Sequence, residues 1–215
     1  MHLLPENHQL IAGPAGNIEL TVDKPKENKH PNTTVIICHP HPQHLGTMHN
    51  KVVTTISRTA KELGLTSIRF NYRGVQHSQG SYEHGEGEVE DLLTVVNWVQ
   101  TQTPEQKIIL AGFSFGGSVA YKGAAKIEHL SHLITIAPAV VNFPLTQHPE
   151  PTVPWLIIQG NNDEVVASEA VFHWLTTEVS CPYTLSKMQE TGHFFHGKLV
   201  HLRKEIEYYL QPRLS

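Results

Sequence analysis

Short runs of β-branched and aliphatic residues recur along this chain, each followed by a stretch with helical apolar spacing, and this alternation restricts the fold more than any other feature. Thr34-Val35-Ile36-Ile37-Cys38 is continuously apolar after its first residue, the pattern of a strand buried on both faces. Lys51–Leu63 then places Val52, Val53, Ile56, Ala60 and Leu63 on one helical face and meets Gly64, a C-cap residue. The pattern repeats: a strand at Ser67–Asn71, an amphipathic helix at Val89–Val99 with acidic residues in its first turn, a strand at Lys107–Ala111 and a helix at Phe115–Ala125. Leu133–Ala137 and Trp155–Gln159 read as strands, Ser168–Thr177 as a helix, Tyr183–Met188 as extended and Leu199–Leu210 as a closing helix. Strands alternating with helices require a mostly parallel sheet covered on both faces, with right-handed crossovers. Upstream, Gln9–Ala12 and Asn17–Val22 flank Gly13-Pro14-Ala15-Gly16, with Ile18, Leu20 and Val22 alternating, so a β-hairpin adds antiparallel strands at one edge. No repeat, linker or low-complexity tract interrupts the pattern, and one α/β domain over 1–215 is expected.

Charge and composition exclude several classes of partner. The formal net charge is −4 and no basic cluster is present, which argues against nucleic acid or an anionic membrane. No segment approaches the ~18 apolar residues of a membrane span. Met1-His2-Leu3-Leu4-Pro5-Glu6 lacks the basic start and apolar run of a signal peptide. The two cysteines, Cys38 and Cys181, lie far apart, Cys38 ending a buried strand as a reduced thiol would. These features lead us to expect a cytoplasmic protein.

The strand Lys107–Ala111 runs into Gly112-Phe113-Ser114-Phe115-Gly116 and then into a helix. G-x-S-x-G in this context forms a turn tight enough to hold the serine in a strained backbone conformation and lift its hydroxyl above the sheet edge. The bland alternative is a glycine-rich turn that only packs; a phosphate loop is excluded because no Gly-Lys-Ser/Thr follows. A serine nucleophile needs a base that is itself held by an acid, and on such a turn the chain order is serine, acid, histidine. Strand Trp155–Gln159 ends in Gly160-Asn161-Asn162-Asp163-Glu164, and the strand ending at Met188 leads to Gly192-His193-Phe194-Phe195-His196. Each residue alone is an ordinary loop residue. Together Ser114, Asp163 and His193 follow three strands in the required order, with Glu164 the rival acid and His196 the weaker rival base. An oxyanion hole would take the backbone N–H of Phe115 and one from His39-Pro40-His41-Pro42-Gln43. Prolines have no N–H, so His41 is the first choice and Gln43 the fallback.

Further stretches carry a resemblance: His39-Pro40-His41-Pro42 with Thr47–Val53, Arg69-Phe70-Asn71-Tyr72-Arg73-Gly74-Val75, Gly87–Asp91, Ala111–Gly117, Gln159–Val166 and Gly192–Leu199. Over roughly 34–210 the chain resembles small, lid-less α/β-superfamily hydrolases of bacteria, related to dienelactone-hydrolase and dipeptidyl-peptidase-like enzymes. The resemblance implies the α/β-hydrolase fold, the Ser114–Asp163–His193 assignment and a hydrolase activity, but no particular substrate. Dienelactone hydrolases carry Cys where this chain has Ser114, so their chemistry is not implied. Where relatives read Arg-Gly-Val-Gly-x-Ser, this chain has Gln76 and His77 before Ser78.

The chain holds 16 histidines, with His39, His41, His44 and His49 crowded into one loop. Imidazoles bind zinc, copper and nickel. Yet no H-E-x-x-H or Cys-x-x-Cys is present and no carboxylate interleaves the cluster, so polar pocket walls are expected and no metal or organic cofactor. His39, Phe113 and Phe194 are the candidate substrate-binding residues; packing is the competing reading for the phenylalanines. The 138–154 stretch, where such folds insert a lid, is too short for a helical cap. An uncapped site suits small or protruding ester or thioester substrates, with a homodimer partner completing its wall. A peptidase on the same residues and a non-catalytic binding protein are the alternatives.

Overall fold

A computed structural model describes residues 7–214; Met1–Glu6, read above for a targeting signal, lie outside the described residues. The strands β1 (His8–Gly13), β2 (Gly16–Asp23), β3 (Thr33–Cys38), β4 (Thr66–Phe70), β5 (Lys107–Phe113), β6 (Leu130–Ile136), β7 (Trp155–Gly160) and β8 (Thr184–Met188) form one eight-stranded sheet in the order β1-β2-β4-β3-β5-β6-β7-β8. From β4 to β8 all neighbours are parallel. β1 and β2 pair antiparallel in register Gly13↔Gly16, and β2 adds antiparallel to β4, so the hairpin occupies one edge as expected.

The parallel strands bury both faces, and their side chains alternate between two cores. Val35 and Ile37 of β3, with Ile109, Ala111 and Phe113 of β5, pack with α1 (Lys51–Glu62) and α5 (Leu199–Leu210). Ile36, Cys38, Ile108 and Leu110 face the opposite way, toward α2 (Glu86–Gln102), α3 (Phe115–Ala124) and α4 (Ser168–Thr177). This is the period-two geometry of strands sandwiched between helices.

Helix α2 starts earlier than apolar spacing indicates, at Glu86 rather than Val89. Its opening turn is polar, and Glu88, fully buried, turns its carboxylate back to the Gly85 N–H at 2.7 Å. That capping interaction begins the helix before any apolar stripe does. The departure at Gln76 also has a physical account. Gln76 takes a positive φ of 49°, the conformation a glycine would adopt freely, and its side-chain oxygen accepts from Asn71 Nδ2 at 2.7 Å.

The loops after β3, β5, β7 and β8 all leave the carboxyl edge of the sheet, where ligand sites of open α/β sheets form. The 138–154 stretch between β6 and β7 contains no helix and no cap. Among the described residues no helix is long and apolar enough to cross a membrane.

Candidate active site

Ser114 occupies the turn between β5 and α3 with φ 56° and ψ −122°, a conformation that costs on the order of 1–3 kcal/mol in a residue with a side chain. The surroundings hold it there. Its N–H donates to the Ile136 carbonyl at 2.8 Å, and its own carbonyl accepts from Gly117 N–H at 2.8 Å. The flanking glycines are compulsory: a Cβ on Gly112 would lie 2.1 Å from the Gly116 carbonyl oxygen, and one on Gly116 would lie 2.4 Å from that of Cys38.

His193 Nε2 lies 3.0 Å from Ser114 Oγ, and His193 Nδ1 lies 2.8 Å from Asp163 Oδ2. All three residues are less than a tenth exposed. Asp163 Oδ1 accepts the backbone N–H groups of Val165 (3.0 Å) and Val166 (2.8 Å), while Oδ2 also accepts Gln159 Nε2 at 3.1 Å. With Asp163 Oδ2 accepting, the neutral imidazole carries its proton on Nδ1 and leaves Nε2 as an acceptor for the Ser114 hydroxyl. Ser168 Oγ braces the loop, accepting Asp163 N–H and donating to the Gly160 carbonyl. The Phe113 ring, buried at 5.0 Å centroid distance, backs the imidazole instead of lining an open pocket.

The rivals take other places. Glu164 Oε2 accepts the backbone N–H of His193 at 3.3 Å and does not reach its ring in any hydrogen bond. His196 is exposed and lies beside the Phe194 ring. Gln43 spends its N–H on His41 Nδ1 at 3.2 Å. Neither His41 N–H nor Phe115 N–H donates to a described acceptor, and Phe115 opens α3, where N–H groups and the dipole's positive end point outward.

His39 is fully buried, with both ring nitrogens engaged inside the protein. Nδ1–H donates to the Pro40 carbonyl at 2.6 Å and Nε2 accepts Tyr72 N–H at 3.2 Å. Burial pushes its pKa down to about 3, so it is a neutral internal brace with no nitrogen left for a ligand. Phe194 is 47% exposed and stands edge-on to the His193 ring, on a hollow of 170 Å³ shared with Asn50, Lys51, Val52 and His196. A depression of 610 Å³ lies at the other end of the sheet, where Trp155 and Thr184 begin β7 and β8. Among the described residues, no three His, Cys, Asp or Glu side chains gather as a metal site.

Gln159, Ser168 and Tyr82 were not singled out by any motif in the sequence. Gln159, a polar residue ending a buried strand, carried a usable signal. Tyr82 carried none, because its partner His41 lies on another loop, 3.1 Å away.

Residues 33–152 match the model of the family described as alpha/beta hydrolase fold. The chain belongs to the α/β-hydrolase family. An uncharacterized protein, RP471, of Rickettsia prowazekii (strain Madrid E) is 31% identical over 209 residues, covering 92% of this chain and 86% of the relative. An alpha-beta serine hydrolase homologue from Coxiella burnetii is 44% identical, with TM-score 0.88, covering 98% of this chain and 100% of that one. XC6422 from Xanthomonas campestris, described as an a/b serine hydrolase without lid, is 40% identical with TM-score 0.91, covering 100% and 99%. These α/β-hydrolase neighbours support a hydrolase.

Proposed function

We propose that this α/β-hydrolase cleaves a carboxylic ester or thioester through an acyl-enzyme on Ser114, His193 and Asp163. The observation that carries the reading is the continuous relay from Ser114 Oγ through the imidazole to a carboxylate held by three N–H donors. Ser114 Oγ attacks the substrate carbonyl carbon while His193 Nε2 takes its proton. The oxyanion accepts N–H from Phe115 and His41. Collapse of the intermediate breaks the bond to the alcohol or thiol, which leaves with the proton from Nε2. Water then gives a proton to Nε2, attacks the acyl carbon and releases the acid as the proton returns to Ser114. Asp163 keeps the imidazole in the required tautomer and stabilises its cation.

An ester-like small molecule with an apolar part suits the surface better than a peptide. Four large apolar residues stay exposed on loops at the carboxyl edge: Leu45 (94%), Val141 (64%), Val165 (56%) and Phe194 (47%). An apolar rim of this kind suits a protruding hydrocarbon or aryl group. The same rim supports the homodimer, and sedimentation of a strict monomer at high concentration would remove that part of the reading.

Labelling with a fluorophosphonate, read by mass spectrometry, tests the chemistry, and turnover of p-nitrophenyl esters, acyl thioesters and peptide anilides tests the substrate class. Stoichiometric modification of Ser114, with ester or thioester turnover above anilide turnover, is expected. A folded protein that does not label would contradict the acyl-enzyme, and anilide turnover exceeding ester turnover would move the reading to a peptidase.

A further inference from the structure

The hydrogen bonds of His41 engage every polar group it owns but one. Its carbonyl accepts the N–H groups of His44 (3.1 Å) and Gly46 (3.0 Å). Its ring Nδ1 accepts Gln43 N–H at 3.2 Å, and Nε2 lies 3.1 Å from the Tyr82 hydroxyl. Because Nδ1 accepts an N–H, the neutral ring carries its proton on Nε2 and donates it to the Tyr82 oxygen. Partial burial, with His44 and His84 nearby, holds the His41 pKa below its ordinary value and keeps the ring in this neutral form. Only the backbone N–H of His41 donates to no described acceptor.

The bonds from Gln43, His44 and Gly46 are made within the same loop, so they shape it without fixing it to the rest of the molecule. Tyr82 reaches it from elsewhere and is itself firmly anchored. The next residue, Glu83, donates its N–H to Glu88 Oε1 at 3.0 Å and accepts from Arg73 Nη1 at 2.7 Å. Glu88 is fully buried in the first turn of α2, and Arg73, 3% exposed, also binds the buried Asp91 of α2. A rigid connection therefore runs from α2 through Glu83 and Tyr82 to His41. The His41 ring also packs beside Phe115 (5.0 Å) and Phe143 (5.7 Å), contacts that hold it laterally but do not set its in-plane orientation.

We propose that Tyr82 is a positioning residue for the reaction: through the His41 imidazole it holds the His41 backbone N–H at the place where the oxyanion forms. The inference rests on the acyl-enzyme reading above. Donors of this kind act by being preorganised, so a clamp on the donor affects the transition state and leaves ground-state binding alone.

Tyr82→Phe keeps the ring packing and removes the hydroxyl. His41→Leu removes the imidazole and keeps the backbone N–H. Both variants and the double variant are compared with wild type in p-nitrophenyl ester kinetics and in the rate of fluorophosphonate labelling of Ser114. Tyr82→Phe is expected to lower kcat and the labelling rate about tenfold, less than the 10²–10³-fold loss of a whole donor, with KM within about twofold. The double variant is expected to match His41→Leu, since a residue acting only through the imidazole has nothing left to act on. Wild-type rates in Tyr82→Phe would overturn the proposal, as would a change confined to KM. Multiplying losses in the double variant would also overturn it and would place Tyr82 on the substrate directly. Absence of labelling in folded wild type removes the acyl-enzyme reading and this inference together, whereas a labelled wild type with an unimpaired Tyr82→Phe removes this inference alone.

Discussion

The two sides of the Ser114 hydroxyl are built on different principles. On one side, the loops after β7 and β8 present side chains, Asp163 and His193, whose chemistry belongs to their residue types. On the other, in the proposed reading, the loop after β3 and the first turn of α3 supply backbone N–H groups, those of His41 and Phe115, and the hydrogen bonds of Gln43 and Tyr82 to the His41 ring would hold that backbone in place. A side-chain site is broken by changing the residue that acts. A backbone site is broken by displacing it, so its sensitive positions lie among the neighbours.

The largest expected effect falls on the side-chain half. Asp163→Asn preserves the shape of the loop but favours the wrong imidazole tautomer, and we expect kcat to fall about 10⁴-fold in the ester assay. A loss of less than about tenfold would mean that Glu164, already hydrogen-bonded to the His193 backbone, can take over the acid role.

Next comes a matched pair of glycine substitutions. In Gly116→Ala the new Cβ would meet the carbonyl oxygens of Cys38 at 2.4 Å and His39 at 2.5 Å, both backbone at the root of the His41 loop. That loop has to shift, and a loss of about 10²–10³-fold in kcat is expected, equivalent to one oxyanion donor. In Gly192→Ala, beside His193, the nearest atom is Glu164 Oε2 at 2.8 Å, the mobile end of a side chain. That carboxylate can swing aside, and activity is expected to stay within about threefold of wild type. Equal losses in the two variants, with both proteins folded by circular dichroism, would break the distinction between the two sides.

The same distinction explains how much of the molecule was legible in its sequence. Apolar periodicity marked the strands and helices because burial dictates residue type at each position. The hydrogen-bonded grouping of Ser114, Asp163 and His193 was legible because the acid–base chemistry proposed for it needs particular residue types, in an order the topology sets. The start of α2 was not, since Glu86-Gly87-Glu88 carries no apolar stripe and the helix begins on the buried carboxylate of Glu88. The Glu three residues after Gly85 was the available signal. As the proposed oxyanion donor, His41 could be ranked above Pro40 and Pro42 from the sequence, whereas the N–H of Gln43 is seen to be spent on His41 Nδ1 only in the structure. His39 was expected in the pocket on the strength of its residue type, whereas its role depends on which atoms surround it: the Pro40 carbonyl and the Tyr72 N–H.

His39 also supplies the smallest effect on catalysis, and an effect on stability that a pocket residue would not produce. Its ring braces the root of the backbone half from within the core. His39→Leu leaves the Tyr72 N–H buried without its acceptor, a cost of about 1–3 kcal/mol, which a urea titration measures. KM for the ester is expected to stay within about twofold, because the ring offers no nitrogen to a ligand. The pH dependence has a definite sign. The folded pKa of about 3 lies below the ordinary value of 6.5, so between these limits the unfolded chain binds a proton that the folded chain excludes. The contribution of His39 is therefore present above pH ~6.5 and is lost as pH falls toward 3, with a slope of up to about 1.4 kcal/mol per pH unit. His41, His49, His132 and His148 are shifted in the same direction by burial, so the difference between wild type and His39→Leu across that window isolates the one ring. A shallower acid limb in the variant with KM unchanged would establish His39 as a brace of the oxyanion side. An unaltered acid limb with a raised KM would return it to the substrate pocket and undo the separation between residues that act and residues that hold.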